Sequence, residues 1–184
     1  MENTRVLIVD DDPNINQLIK LYLEKEGFET ETATRGDDAL NLFKKNPPHI
    51  VLLDLMLPGM DGWQVCREVR KISNIPIIML SQFKRLPAGQ RPTLNDLKES
   101  GSIENDSDNV ILLYKPQGPN DENIPGPYAG WYEQAEAREQ RFLLLEVAKQ
   151  RMGRVRTVAA VFDPARMRFY TPKAENRRNG SAEN

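Results

Sequence analysis

The sequence contains few of the residues that form disulfides, zinc sites and membrane spans. Among its 184 residues there is one cysteine, Cys66, and one histidine, His49. A single cysteine excludes an internal disulfide and suits a reducing compartment, and a single imidazole argues against a histidine-based zinc site. No apolar run approaches membrane length, and the N-terminus lacks the pattern of a signal peptide. We therefore expect a cytoplasmic protein without a membrane segment. The net charge of −2 indicates neither nucleic acid nor membrane as a partner.

The first 81 residues alternate short apolar runs with amphipathic segments. The apolar runs predict strands at Arg5–Val9, Phe28–Ala33, His49–Leu53 and Ile75–Leu80. Apolar residues at helical spacing predict helices from Asn14 to Gly27, over Asp37–Lys45 and over Asp61–Lys71. In the first of these helices the apolar positions are Ile15, Leu18, Ile19, Tyr22 and Leu23. This alternation predicts an α/β fold, with a parallel sheet and flanking helices on both faces.

After Ser81 the pattern changes. Residues 84–109 are polar and turn-rich, and residues 116–130 hold four prolines and three glycines, which predicts a long loop. Further strands are predicted at Val110–Tyr114, Phe142–Ala148, Thr157–Phe162 and Arg166–Tyr170, with a short helix or connector at Trp131–Arg141. We expect domains at residues 1–81 and 82–172, followed by a disordered polar tail at 173–184.

Three aspartates follow the ends of two predicted strands: Asp10, Asp11 and Asp54. The carboxyl ends of parallel strands meet at one edge of a sheet, so these carboxylates should converge. Their mutual repulsion favours a bound cation, and hard oxygen ligands suit magnesium. A solvated acidic loop is the alternative interpretation, and it suits Asp12. It accounts poorly for Asp54, which ends a buried run and precedes a tight Pro-Gly loop.

The segments VLIVDDDP, VLLDLMLPGMDG and IPIIMLS resemble the response-regulator receiver domains of two-component signalling, and the likeness covers residues 4–81. The resemblance implies a flavodoxin-like sheet in which Asp54 is the phosphoacceptor of a histidine kinase or phosphotransfer protein. It also implies a Mg²⁺ ion held by Asp10, Asp11, Asp54 and the main-chain carbonyl of Met56. Ser81 would carry the switch hydroxyl of the family.

The run Val110–Tyr114, followed by Lys115 and a proline, resembles the fifth receiver strand and its lysine. In this interpretation the strand becomes the edge of the first sheet, Lys115 completes the pocket, and residues 142–170 add antiparallel strands beyond or beside it. The separation of 34 residues between Ser81 and Lys115 is longer than one helix and two loops require.

Residues 80–170 resemble a second family, the C-terminal RecA-like domain of DnaB-type replicative hexameric helicases. The matching segments are LSQ, RPTLNDLKESGSIENDSDNVILLY, EVAKQRMG and TVAAVFDPARMRF. The join between the two resemblances falls at Leu80-Ser81. The second resemblance implies RecA-like strands, partly antiparallel, and two groups of site residues: Gln82, Lys149 and Arg151 at nucleotide sites, and Lys98, Glu99 and Gly101 on a DNA-binding loop.

No segment reads G-x-x-x-x-G-K-[ST], the glycine-rich loop that cradles nucleotide phosphates. We therefore expect neither ATPase nor helicase activity, and a receiver acts only on its own phosphoryl group. Lys149 and Arg151 could equally belong to an ordinary basic turn. We interpret the chain as a phosphoacceptor receiver. The alternatives are a helicase-derived module that binds single-stranded DNA or helicase subunits without its own ATP site, and a chimera with neither activity.

Overall fold

The structure, a computed structural model, describes residues 3–87, 90–98 and 100–172, and the predicted tail lies outside them. The chain divides into two units after Gln82. The strands are β1 (Arg5–Val9), β2 (Glu29–Ala33), β3 (Ile50–Asp54), β4 (Ile77–Leu80), β5 (Asn109–Tyr114), β6 (Arg141–Gln150), β7 (Arg156–Asp163) and β8 (Arg168–Tyr170). The helices are α1 (Pro13–Lys25), α2 (Gly36–Lys45), α3 (Gly62–Arg70), α4 (Ser100–Asp106) and α5 (Trp131–Glu136). No helix in the described ranges is both long and apolar enough to cross a bilayer.

The first unit is built on a parallel sheet with the strand order β2-β1-β3-β4. The chain moves from β1 to β2 in one direction and then from β2 to β3 and β4 in the other. Because βαβ connections are right-handed, α1 lies on one face of the sheet and α2 and α3 lie on the opposite face. The predicted parallel sheet with helices on both faces is confirmed. The direction reverses between β1 and β3, which places a crevice at the carboxyl ends of these two strands.

The face covered by α2 and α3 holds the main core of the first unit. Alternate residues of the strands, Leu7, Val9, Val51 and Leu53, are buried against apolar side chains of the two helices. Leu53 has no exposed surface, and burial of a side chain of this size stabilises the folded state by about 1.5–3 kcal/mol. This layer fixes the ends of β1 and β3 beside each other.

The opposite face is covered at one end only. Helix α1 contacts β1 and β2, and Ile8 beneath it is buried. On β4 the side chains of Ile78 and Leu80 are 48% and 43% exposed. The predicted apolar stripe of α1 is also largely outside the core, since Ile15, Leu18 and Tyr22 are exposed. A stripe with helical spacing indicated the helix correctly but not its buried side.

The second unit contains an antiparallel sheet with the order β5-β6-β7-β8. Helix α5 packs on β6, and their contact forms a separate core. The buried members of this core are Ile124, Ala135, Phe142, Leu144, Ala159 and Val161. The strands predicted after Ser81 are present, and the pairings among the described strands of this sheet are all antiparallel.

The prediction that Val110–Tyr114 forms the edge of the first sheet is wrong. This strand, β5, pairs with β6 in the second sheet. Its burial alternates, with Val110 and Leu112 buried and Ile111 and Leu113 exposed, as in an antiparallel strand that has one covered face. The region 84–109, which we predicted to be polar and turn-rich, contains α4 and a short 3₁₀ turn at Leu94–Asp96.

The exposed position of β4 can be tested by a charged substitution. We expect Ile78→Lys to change the free energy of unfolding by less than about 1 kcal/mol, because the side chain already reaches solvent. Leu53→Ala, which truncates a fully buried side chain of the neighbouring strand, should lower the free energy of unfolding by about 2–5 kcal/mol. Urea unfolding followed by circular dichroism measures both values. A loss for Ile78→Lys as large as that for Leu53→Ala would show that β4 is covered in solution.

Candidate functional site

The carboxyl ends of β1 and β3 bring three carboxylates together. Val9 pairs with Leu53 in the sheet, so Asp10 and Asp11 follow one strand where Asp54 ends its neighbour. One carboxylate oxygen from each of the three aspartates lies within 4.8 Å of the others. Asp11 is exposed, whereas Asp10 and Asp54 are half-buried. The cluster is therefore open on one side and enclosed on the other.

Local hydrogen bonds fix the loop that follows β1. The main-chain N–H of Asp12 donates to Asp10 Oδ1 at 2.9 Å, which orients the Asp10 carboxylate. Asp12 is itself the N-cap of α1, since its Oδ1 accepts from the N–H of Asn14 at 2.8 Å. The capping side chain is thereby engaged with α1, and it does not belong to the group of three.

The loop after β3 depends on a close approach of main chains. The N–H of Met56 donates to Asp54 Oδ1 at 3.2 Å, and the N–H of Gly62 donates to the carbonyl of Leu55 at 3.1 Å. A Cβ atom at Gly62 would overlap the main-chain oxygen of Asp54, so only glycine allows α3 to begin here. Asp61 caps α3 through a capping box with Gln64. These contacts hold Asp54 at the mouth of the crevice.

The electrostatics of the cluster suit a cation. Burial raises the pKa of the Asp10 carboxyl above its ordinary value, and the negative charges of Asp54, Asp11 and Asp12 raise that pKa further. The N–H of Asp12 acts in the opposite direction. Because the ionised form of Asp10 is disfavoured among these neighbours, a positive ion would relieve the repulsion. Three carboxylate oxygens at this separation fit a hard divalent ion such as Mg²⁺.

Ser81 follows β4 at the same edge of the sheet. Leu80 pairs with Asp54, so the next residue along the chain stands beside the cluster. The hydroxyl of Ser81 donates to the carbonyl of Gln82 at 3.5 Å. Met56 is half-exposed two residues after Asp54. Ser81 and Met56 thus follow in sequence the ends of β4 and β3, and Asp54 of the acidic cluster is the last residue of β3.

Lys115 has its contacts within the second unit. Its amine forms an ion pair with Glu136 at 3.0 Å and lies 5.6 Å from the centre of the Tyr132 ring. The hydrogen bond to Glu136 raises the pKa of this lysine. Since β5 belongs to the second sheet, the strand that was expected to present Lys115 to the acidic cluster is not part of the first sheet.

The residues implied by the second resemblance also have partners of their own. Lys149 Nζ donates to the carbonyl of Ser107 at 2.8 Å, and Arg151 forms an ion pair with Asp108 at 2.8 Å. These contacts join the end of β6 to the segment that precedes β5. Two arginines near the β6–β7 turn, Arg154 and Arg156, are exposed.

The predicted DNA-binding loop is described only in part. Lys98 is half-buried, Gly101 lies in α4 with open space around it, and Glu99 lies outside the described residues. Gln82, the last residue of the first unit, is exposed.

Two family models match the chain. A model of the response regulator receiver domain matches residues 6–93, and a model of the DnaB-like helicase C terminal domain matches residues 64–171, more than half of the chain. The two matches overlap at residues 64–93, and the join predicted at Leu80-Ser81 falls inside this overlap.

Curated relatives match the first unit. The "Probable transcriptional regulator ycf27" of Porphyridium aerugineum is 41% identical over 81 residues, which are 44% of this chain and 34% of the relative. The protein of the same name from Guillardia theta is 47% identical over 77 residues, which are 42% of this chain and 30% of the relative. The chain spans about a third of the length of these relatives.

Solved structures match the same region. The BeF3-activated N-terminal receiver domain of Klebsiella pneumoniae RstA is 38% identical, with a TM-score of 0.40 over 41% of this chain and 65% of that one. The response regulator TrrA from Thermotoga maritima, in complex with Mg(2+)-BeF, is 42% identical, with a TM-score of 0.40 over 41% of this chain and 67% of that one. This chain covers 65% of the RstA receiver domain, 64% of the Francisella response regulator 1452 receiver domain and 66% of a solved chain from Chloroflexus aurantiacus, slightly less than two thirds in each case.

The raised pKa of Asp10 leads to a pH-dependent prediction. Its folded-state pKa lies above the unfolded one, so the cluster destabilises the fold as the pH rises through these values. Without metal, we expect Asp10→Asn to increase the free energy of unfolding at about pH 7, and this gain to vanish near pH 3, where Asp10 is protonated in both states.

Urea unfolding in EDTA at the two pH values measures this gain. The matched control is Asp38→Asn, which removes an equal charge from the first turn of α2, where an acidic residue is favourable. An equal gain in the two variants would contradict the prediction, because it would indicate an effect of net charge and not of the cluster.

Proposed function

We propose that the activity of this chain is that of a receiver. The chain belongs to the DnaB-like helicase C-terminal family and contains a response regulator receiver domain in its first half. The chain would be the phosphoacceptor of a two-component phosphorelay, with Asp54 as the phosphorylated residue. The observation that carries this proposal is the convergence of the Asp10, Asp11 and Asp54 carboxylates within 4.8 Å. The partner that supplies the phosphoryl group would be a histidine kinase or a phosphotransfer protein.

In the proposed reaction, a carboxylate oxygen of Asp54 attacks the phosphorus of a phosphohistidine. The new O–P bond forms as the N–P bond breaks, and the imidazole leaves and regains a proton. Asp10, Asp11, Asp54 and the main-chain carbonyl of Met56 would hold a Mg²⁺ ion. When bound, the ion supplies positive charge that offsets the charge of the transferring phosphoryl oxygens. The N–H of Met56, which already donates to Asp54, keeps the acceptor oriented.

Ser81 is the proposed switch residue. It follows Leu80, which pairs with Asp54 in the sheet, and its hydroxyl can donate to a phosphoryl oxygen on the acceptor. Lys115 is not included in the proposed pocket, because its amine pairs with Glu136 in the second unit. Turnover of an external substrate is not proposed, since the sequence lacks a glycine-rich phosphate loop of the G-x-x-x-x-G-K-[ST] type.

Phosphorylation at Asp54 can be tested by intact mass spectrometry after incubation with acetyl phosphate. We expect the wild-type chain to gain one phosphoryl group with Mg²⁺ present and none in EDTA, because the ion is needed to offset charge. Asp54→Ala should gain none, whereas the control Asp38→Ala, at an exposed aspartate of α2, should react like the wild type. An adduct on Asp54→Ala, or no adduct on the wild type, would contradict the proposal.

A second candidate function is favoured by the family match over residues 64–171. That region would contribute a DNA-binding loop at Lys98 and Gly101 and the basic residues Lys149 and Arg151 to an assembly whose ATP site lies elsewhere. Exposed arginines beside the β6–β7 turn add positive charge to the same unit. Single-stranded DNA or helicase subunits would be the partners in this case.

Binding of a fluorescent single-stranded oligonucleotide tests this second function. If Lys98 contacts a phosphate, Lys98→Glu should weaken binding and reduce the slope of log K against log salt by about 1. The control Lys25→Glu changes an exposed lysine of α1 in the first unit and should leave binding unchanged. Absence of salt-dependent binding by the wild type would contradict this function without affecting the phosphoacceptor proposal.

A further inference from the structure

Asn16 is a buried polar residue next to the acidic cluster. It is 3% exposed, and it is the only buried residue of α1. Its Nδ2 donates to the carbonyl of Asp10 at 2.7 Å and to the carbonyl of Ala33 at 3.1 Å. One amide therefore connects the residue that follows β1 with the last residue of β2.

These bonds fix Asp10 through its main chain. The carbonyl of Ala33 also accepts from the N–H of Asp10 at 3.2 Å, so Asn16 completes a junction of three hydrogen bonds. The N–H of Asp12 holds the carboxylate itself. Both the backbone and the side chain of Asp10 are thus restrained. The side chain of Asn16, in α1, restrains the backbone through its hydrogen bond to the Asp10 carbonyl.

The chemistry of the amide explains why an apolar residue would not serve. A primary amide has two N–H donors and one acceptor oxygen, and both recorded bonds of Asn16 use the donor nitrogen. Its Oδ1 has no hydrogen-bond partner among the described residues. Burial of an unpaired acceptor is unfavourable, and a leucine at this position would avoid it. The donor role toward Asp10 and Ala33 is therefore what the asparagine contributes.

We propose that Asn16 is a positioning residue for the acidic cluster. By holding the main chain of Asp10, it keeps the carboxylate in the geometry that a divalent ion requires, so its loss lowers Mg²⁺ affinity more than it lowers stability. This inference rests on the proposed function, in which the cluster binds Mg²⁺. It predicts that Asn16, which would not contact the ion, influences the Mg²⁺ affinity of the cluster through Asp10.

Three variants separate positioning from packing. Asn16→Leu fills the same space without donors, and Asn16→Asp is isosteric but places a carboxylate against two carbonyl oxygens. Asn46→Leu is the matched control, because it removes a half-buried amide that donates to Glu31 at the far end of α2. Mg²⁺ affinity is measured by calorimetry, and the free energy of unfolding is measured with urea in EDTA.

We expect both Asn16 variants to bind Mg²⁺ about tenfold more weakly or worse, as is typical for residues that orient metal ligands. Asn16→Leu should remain folded with at most a moderate loss of stability, because the two lost donor bonds are partly offset by removal of the unpaired Oδ1. Asn46→Leu should keep the wild-type affinity. Folded Asn16→Leu with unchanged Mg²⁺ affinity would overturn the inference and leave the phosphoacceptor proposal intact. A wild-type chain that does not bind Mg²⁺ would overturn both.

A measurement on the wild type covers the case in which the variants do not fold. The side-chain amide protons of Asn16 can be followed by NMR during a Mg²⁺ titration. We expect them to exchange slowly with solvent, because both donate to carbonyls, and to shift as the ion binds. Rapid exchange, or signals that do not change while Asp10 responds, would overturn the inference.

Discussion

The local structure around the ends of β1 and β3 depends on one constraint, the repulsion between the carboxylates that meet there. The strand order reverses between β1 and β3, so these strands are adjacent. Asp10 follows the last residue of β1, and Asp54 is the last residue of β3. Such an arrangement is unfavourable unless other groups hold the acids in place. Here the N–H of Asp12 and the amide of Asn16 restrain Asp10, and the N–H of Met56 restrains Asp54. The main-chain approach at Gly62 then closes the loop, so glycine is required there for packing and for the site alike.

The parts of the molecule that followed from the sequence are those in which local pattern and tertiary environment agree. The run of β1 is buried on both faces, so its continuous apolar character matches its surroundings, and β3 beside it has Val51 and Leu53 buried and Leu52 half-buried. An aspartate at the end of such a run can only stand at the sheet edge, and this reasoning located the cluster. Gly27, which ends the predicted first helix, is likewise a local signal, and the structure has it at positive φ two residues after the end of α1.

The errors arose where the partner of an element is distant in the chain. The run NVILLY has the apolar continuity of a central parallel strand. Instead, β5 pairs with β6, about thirty residues away in the chain, and buries only alternate residues. In α1 the apolar stripe includes Ile15 and Leu18, but both are exposed, while the polar Asn16 is buried. No periodicity rule identifies that asparagine, because its burial depends on two carbonyls of the adjacent strands. Its signal in the sequence was only its closeness to Asp10.

The division of the chain after Gln82 falls next to the proposed switch residue. Asp54 pairs with Leu80, and the proposed switch hydroxyl on Ser81 is one residue from the end of the first unit. β4 has no further strand beyond it in the described part of the first sheet, and Ile78 and Leu80 are exposed. A change in the hydrogen bond of Ser81, which now donates to Gln82, would act on the segment that leads into the helicase-like unit. Within the proposed receiver site, Ser81 is therefore the residue nearest in sequence to the start of the second unit.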